Sequence, residues 1–82
     1  MNKQLSELVT VSEIAHAIAK DWQNISPYAK DYLNAMKDIR NIDDNYYADS
    51  AKTVVLYFLA NASSYRGENA RTYKALLKEL VK

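Results

Sequence analysis

The sequence predicts an all-α protein, a compact bundle of about four helices folded as a single domain over residues 1–82. Apolar side chains recur at the 3.6-residue period of amphipathic helices along most of the chain. One Gly and one Pro offer few turns, which disfavours a fold built from many short strands. With 49% apolar and 26% charged residues, the composition is typical of a folding chain rather than a disordered one.

The first two helices are predicted over 10–23 and 27–39, and each begins at a capping signal. Thr10 is a good N-cap, and a glutamate stands three residues later, which is the spacing of a capping box. Ser26 is a second good N-cap, followed by Pro27 at the first helical position, where its missing N–H is harmless. The predicted core stripes are Val11, Ile14, Ala15, Ile18 and Trp22 on the first helix, and Tyr28, Ala29, Tyr32, Met36 and Ile39 on the second.

The third helix is predicted over 49–64, after a structured loop at 40–48 that is rich in Asn, Asp and Tyr. Asp49 or Ser50 is expected to cap this helix. Its core stripe comprises Ala51, Val54, Val55, Phe58, Ala62 and Tyr65.

The third helix is also apolar on its other faces, where Leu56, Tyr57 and Leu59 lie. A helix that is apolar nearly all round is either central in its fold or packed against another subunit. The protein is therefore expected to be a monomer or a homodimer, and a monomer with this helix at its centre is preferred.

The fourth helix is predicted over 68–81, with Gly67 placed as the residue that ends the preceding helix. Its predicted core stripe is Ala70, Tyr73, Leu76, Leu77, Leu80 and Val81. Its opposite face carries a basic row at spacings of three, four and four residues, formed by Arg71, Lys74, Lys78 and Lys82.

The residues that usually carry chemistry are scarce, so the sequence predicts no enzyme, no cofactor and no metal. His16 is the single histidine and there is no cysteine, which excludes a thiolate zinc site and a Cys–His pair. An EF-hand loop starting at Asp43 places Ala48 where Gly is needed and Val54 where the bidentate Glu belongs. His16 is expected to be solvated, and the acidic residues of the loop are expected to cap a helix or form a negative contact surface.

The chain also lacks the signals of membrane insertion. No apolar run approaches the about 20 residues of a membrane span, and the N-terminal residues lack the apolar core of a signal peptide. A cytoplasmic protein without a membrane partner is therefore expected.

Two features predict a binding surface. One is the loop that holds Asp43, Asp44, Tyr46 and Tyr47, because adjacent tyrosines bring much contact area at low entropic cost. The alternative is that one of these tyrosines fills the core beneath the loop. The other feature is the basic row, of which Arg71, Lys74 and Lys78 are the candidate contact residues.

The basic row could bind phosphates or an acidic protein, or it could be an ordinary solvated face. Charge is unevenly distributed, since residues 1–49 carry 5 basic and 8 acidic side chains and residues 50–82 carry 6 basic and 2 acidic. A single row of basic side chains on a chain of net charge +1 favours a protein partner over a nucleic acid.

A nucleic-acid alternative comes from the first two helices. Residues 10–15 (TVSEIA) resemble the opening of the second helix of many helix-turn-helix domains, with Pro27–Met36 as the following recognition helix. The turn has no glycine and is longer than usual, and Asp31 and Asp38 on the recognition helix would repel phosphates. DNA binding is therefore the less favoured alternative.

The runs ISPYAKDYLNAM (25–36) and DSAKTVVLYFLANASSYRGENARTYKALLKEL (49–80) resemble small bacteriophage or prophage proteins known only as short uncharacterised helical reading frames. The resemblance extends from about Thr10 onward and brings no catalytic motif. It implies a phage-encoded accessory protein that acts in the cytoplasm of the bacterial host. By analogy, such a protein binds a host protein or complex and inhibits a defence system, such as CRISPR, or a regulatory complex. The alternatives are a helix-turn-helix-like regulator and an oligomeric structural or assembly protein.

Overall fold

The computed structural model of the chain describes residues 10–40, 42, 45, 46 and 49–82. This part of the chain forms four α-helices, which confirms the all-α bundle. A two-residue antiparallel pairing precedes the third helix, with Asn45 opposite Ser50 and Tyr46 opposite Asp49. The elements are α1 (Val11–Asp21), α2 (Pro27–Met36), β1 (Asn45–Tyr46), β2 (Asp49–Ser50), α3 (Ala51–Ala60) and α4 (Glu68–Leu80).

The first two helices begin at the capping residues that the sequence predicts. The backbone N–H of Glu13 donates to Oγ1 of Thr10 at 3.1 Å, and Oε1 of Glu13 accepts from the Thr10 N–H at 2.8 Å. This is a complete capping box. Ser26 caps α2 by accepting from the Tyr28 N–H at 3.3 Å, and Pro27 occupies the first helical position.

The cap of α3 is Ser50, one of the two predicted candidates. Its Oγ accepts from the Thr53 N–H at 3.1 Å and lies 2.9 Å from the Thr53 hydroxyl. Asp49 instead belongs to β2. The segment predicted as a loop over 40–48 therefore contains a short strand where the structure describes it.

All four helices end earlier than predicted, at Asp21, Met36, Ala60 and Leu80 rather than at 23, 39, 64 and 81. Asn61 closes the last turn of α3. Its backbone N–H donates to the Tyr57 carbonyl at 3.2 Å and to the Phe58 carbonyl at 3.0 Å, and its side-chain amide also donates to the Tyr57 carbonyl at 2.8 Å. Ala62 and Tyr65 are buried as predicted, although they lie beyond the helix.

Gly67 has a different role from the predicted one. Because α3 ends at Ala60, seven residues before Gly67, the glycine does not close that helix. It stands instead at the N-cap position of α4. Its backbone has φ 118° and ψ 178°, a combination that is nearly exclusive to glycine. The backbone conformation at the start of α4 therefore explains why glycine occupies this position.

The buried side chains form one hydrophobic core. Helix α2 packs mainly against α3, and α1 packs against α4 and α2. Trp22 follows α1 and contacts both Phe58 of α3 and Tyr65, which lies before α4. Its ring meets Phe58 edge-on with the centroids 6.3 Å apart, and it stacks on Tyr65 with the centroids 4.9 Å apart. The buried apolar residues are Val11, Ile14, Ala15, Ile18, Trp22, Ala29, Leu33, Ala35, Met36, Ile39, Ala51, Val54, Val55, Phe58, Ala62, Tyr65, Ala70 and Leu77.

The prediction that Tyr28 belongs to the core is wrong, because its side chain is 76% exposed. Leu33, which was not assigned to the stripe, is buried instead. Tyr32 and Tyr73 are partly buried at the margin of the core. In the described part of the chain, no helix is long and apolar enough to cross a bilayer.

Candidate protein-interaction surfaces

The predicted loop surface lies mostly outside the residues that the structure describes. Asp43, Asp44 and Tyr47 are outside the described residues. The backbone of Tyr46 is described, and it pairs with Asp49 of β2. The proposed contact role of these four residues therefore stays a prediction.

The basic row of α4 is placed as predicted on one side of the helix, but its four members are not equivalent. Arg71 and Lys78 are exposed. Lys82 forms an ion pair with Glu79, with Nζ and Oε2 3.0 Å apart. Lys74 is partly buried, and its Nζ donates to the Tyr65 carbonyl at 2.7 Å.

Lys74 also lies over the ring of Tyr65, with Nζ 5.7 Å from the ring centroid. Burial lowers the pKa of Lys74, and repulsion from Lys78 and Arg66 lowers it further. These three cations are therefore close enough to interact. The side chain of Lys74 is held in one position by the fold.

Arg66 is a member of this positive surface that the sequence did not reveal. It is exposed, and its Nε–H donates to the Ser63 carbonyl at 3.4 Å. It lies before α4, so helical periodicity cannot place it beside Lys74. Only the path of the chain between α3 and α4 brings the two side chains together.

A second candidate surface lies across α2 and α3, and we term it the aromatic face: Tyr28, Tyr32, Leu56 and Tyr57. Tyr28 is 76% exposed, Leu56 51% and Tyr57 48%. The rings of Tyr32 and Tyr57 are in contact across the two helices, with centroids 5.5 Å apart and planes at 51°. Tyr28 stands one turn before Tyr32 on the same side of α2. Tyr28, Leu56 and Tyr57 are the exposed large hydrophobic residues in the described part of the chain, and Tyr32 is partly buried between them and the core.

The aromatic face is partly predictable from the sequence. The apolar surplus of α3 at Leu56 and Tyr57 predicts cover from other helices or from a second subunit. Within the single chain, both side chains remain about half exposed. Tyr28 was assigned to the core because its position fits the period of α2.

A polar cluster ties the end of α1 to the start of α4. The Asp21 carboxylate accepts from the Tyr65 hydroxyl at 2.7 Å and from the Asn69 amide at 3.0 Å. Both hydrogen bonds lower the pKa of Asp21, and the bond from Asn69 has the larger effect. Burial raises the pKa of the Tyr65 hydroxyl, and the bond to Asp21 raises it further. An open cavity of about 540 Å³ adjoins the cluster.

The central groups of this cavity are already engaged within the protein. Trp22 and Tyr65, its aromatic lining residues, are buried in the core, and both oxygens of Asp21 already accept hydrogen bonds within the protein. Its residues hold two helix ends together, which is a structural role. The remaining lining residues are Gln23, Asn24, Ser64, Arg66, Gly67, Glu68 and Asn69.

His16 is exposed on α1, and its Nδ1 donates to the Ser12 carbonyl one turn earlier at 2.8 Å. Within the described residues, no group of three or more His, Asp or Glu side chains is placed to hold a metal ion. No protein-family model, curated protein or solved structure matches this chain.

Proposed function

We propose that this protein is a non-catalytic protein-binding module that uses its aromatic face to dock onto a partner. The observation that carries the proposal is the exposure of Tyr28, Leu56 and Tyr57 on two adjacent helices. Tyrosine is enriched among the residues that dominate binding energy, because it buries a large rigid surface and offers a hydroxyl at its edge. The exposed side of α3 is otherwise Lys52 and Ala60, so little polar surface would have to be desolvated there.

The contact between Tyr32 and Tyr57 supports the same proposal. Two rings that already touch lose less rotational freedom on binding than isolated surface side chains do. The partner would therefore meet a pre-ordered surface on helices rather than a loop. The residues Asp43, Asp44, Tyr46 and Tyr47 follow α2 in the chain, and they remain candidate additional contacts.

The resemblance to small phage proteins gives the biological setting of the proposal. We propose that the protein is phage-encoded and acts in the cytoplasm of a bacterial host, where it occludes a defence system such as CRISPR or a regulatory complex. A helix-turn-helix-like regulator fits less well. The exposed side of α2 carries Asp31, and the five residues Trp22–Ser26 separate α1 from α2.

The test is affinity capture from a bacterial host lysate, followed by titration of the captured protein against variants. Tyr57→Ala should weaken binding by about 2 kcal/mol, a roughly thirtyfold loss, whereas Tyr57→Phe keeps the ring and should bind nearly as well. His16→Ala, an exposed change on α1, is the matched control. If Tyr28→Ala with Tyr57→Ala captures the same partner with the same affinity, the aromatic face is not the docking surface.

Sedimentation of the same variants separates a host partner from self-association. A wild-type dimer that Tyr57→Ala converts to monomer would assign the aromatic face to a two-fold interface and the protein to the oligomeric class. A wild-type monomer leaves that face accessible to a different protein.

A further inference from the structure

Four cations lie along one side of α4 and the segment before it, and we term them the cationic ridge: Arg66, Arg71, Lys74 and Lys78. The last three follow one another at one-turn spacing. Lys74 lies one turn before Lys78, and its Nζ donates at 2.7 Å to the carbonyl of Tyr65, the residue next to Arg66. The ridge is thus a continuous positive surface that joins a helix to the segment before it.

The stability of α4 does not explain the ridge. Lys78 is in the last turn, where a cation is favoured by the helix dipole. Arg66 and Arg71 are at the opposite end, where acidic residues are favoured and cations are not. Lys74 bonds the Tyr65 carbonyl and lies over the Tyr65 ring, which explains its own position but not those of Arg66 and Arg71. These two exposed cations are available to an acidic surface.

We propose that the cationic ridge binds an acidic helix of a protein partner. Arg71 and Lys78 are seven residues apart, which is about 10.5 Å along the helix axis. Carboxylates at positions i, i+3 or i+4, and i+7 of a second helix have the same spacing. Arginine can pair with each carboxylate through two parallel hydrogen bonds. The attachment of Lys74 to Tyr65 fixes the centre of the ridge before binding, which reduces the entropic cost.

A nucleic acid fits the ridge less well than an acidic helix does. The protein has a net charge of +1 and a pI of about 7.9, below the range typical of nucleic-acid-binding domains. Glu68 lies in the first turn of α4, and the Asp21 carboxylate bonds the same Tyr65 that Lys74 covers. These acids border the ridge and repel carboxylates and phosphates alike, so they favour a ligand whose negative charges end where the ridge ends, as those of one acidic helix face can and those of a continuous phosphate backbone cannot.

The inference rests on the proposed protein-binding function but concerns a separate surface, so a probe peptide tests it. The probe is a fluorescent alanine-based helical peptide with three glutamates at i, i+3 and i+7. A peptide of the same composition, with the glutamates on three different sides of the helix, is its control. Fluorescence anisotropy should show the first peptide binding about tenfold more tightly than the second, with an affinity that falls as salt rises.

Variants of the protein complete the test. Arg71→Glu with Lys78→Glu should reduce binding of the first peptide at least about tenfold, and circular dichroism should show an unchanged fold because both side chains are exposed. Lys20→Glu with Lys52→Glu, the same charge change at exposed sites on α1 and α3, should leave binding within about twofold.

Equal binding of the two peptides, or an equal loss in the two double variants, would overturn the proposal, because attraction would then reflect net charge alone. Tighter binding of a duplex or single-stranded oligonucleotide than of the first peptide at physiological salt would also overturn it, in favour of a nucleic acid. Neither result changes the outcome expected for Tyr57→Ala with a captured partner, so the failures of the two proposals are distinguishable.

Discussion

The central prediction for stability concerns Phe58, whose side chain is fully buried and meets Trp22 edge-on. Truncation to alanine removes this ring from its contact with Trp22 in the core and leaves a cavity. Phe→Ala changes at such sites cost roughly 3–5 kcal/mol. At about 0.05–0.15 kcal/mol per residue, a chain of 82 residues has a free energy of unfolding of roughly 4–12 kcal/mol. Phe58→Ala is therefore expected to remove from a quarter of that stability to all of it.

Leu56 is the matched control, because it is on the same helix and is half exposed. Leu56→Ala should change the free energy of unfolding by no more than about 0.5 kcal/mol, since alanine is the better helix former and little packing is lost. Phe58→Leu keeps part of the buried volume and should cost roughly 1–2 kcal/mol. It provides a measurable variant if Phe58→Ala does not fold.

The assay is urea unfolding followed by circular dichroism at the helical minimum, with the slope and midpoint fitted for each variant. The expected order of stability is wild type and Leu56→Ala together, then Phe58→Leu, then Phe58→Ala. A cost below about 1 kcal/mol for Phe58→Ala, or an equal cost for Leu56→Ala, would show that the core is not centred on Phe58.

Three further predictions concern local features. Ser50→Ala should cost about 1 kcal/mol, measured by urea unfolding, because α3 loses its side-chain cap, and Ser50→Thr should restore most of it. Gly67→Ala should cost roughly 1–3 kcal/mol from backbone strain alone, since no atom lies within 4 Å of the added methyl group. Because hydrogen bonds from Asn69 and Tyr65 lower the pKa of Asp21 in the folded state, their stabilising effect is present above its ordinary pKa and is lost as pH falls through the folded value. The stability difference between wild type and Asp21→Asn should therefore be larger at pH 7 than at pH 2, and an unchanged difference would contradict this linkage.

The starts of the helices were predictable from sequence because capping is local. Thr10, Ser26 and Ser50 each bond to a backbone N–H two or three residues away, so short-range sequence determines the outcome. The ends were not predictable to the same degree. Apolar residues continue in register after Ala60, yet the helix stops at Asn61, whose backbone leaves the helical conformation with φ −108° and ψ 10°.

The candidate surfaces show a different limit of sequence analysis. The period of α2 places Tyr28 and Tyr32 on one side of the helix, but it does not show whether another element covers both. Tyr32 meets Tyr57, whereas Tyr28 remains exposed. In the same way, α4 defines three members of the cationic ridge, while Arg66 joins them only through the tertiary path of the chain.

One side of α3 contributes to stability, and a different side has the proposed binding role. Its inward residues, Val54, Val55 and Phe58, are buried in the core, and its outward residues include Leu56 and Tyr57. A half-exposed apolar side chain contributes less to the core than a fully buried one, and a cluster of such side chains increases the risk of aggregation. The proposed binding role would cover this surface. Leu56→Lys should accordingly leave the unfolding midpoint nearly unchanged and weaken partner binding, whereas Phe58→Leu should lower the midpoint and spare binding wherever the protein remains folded.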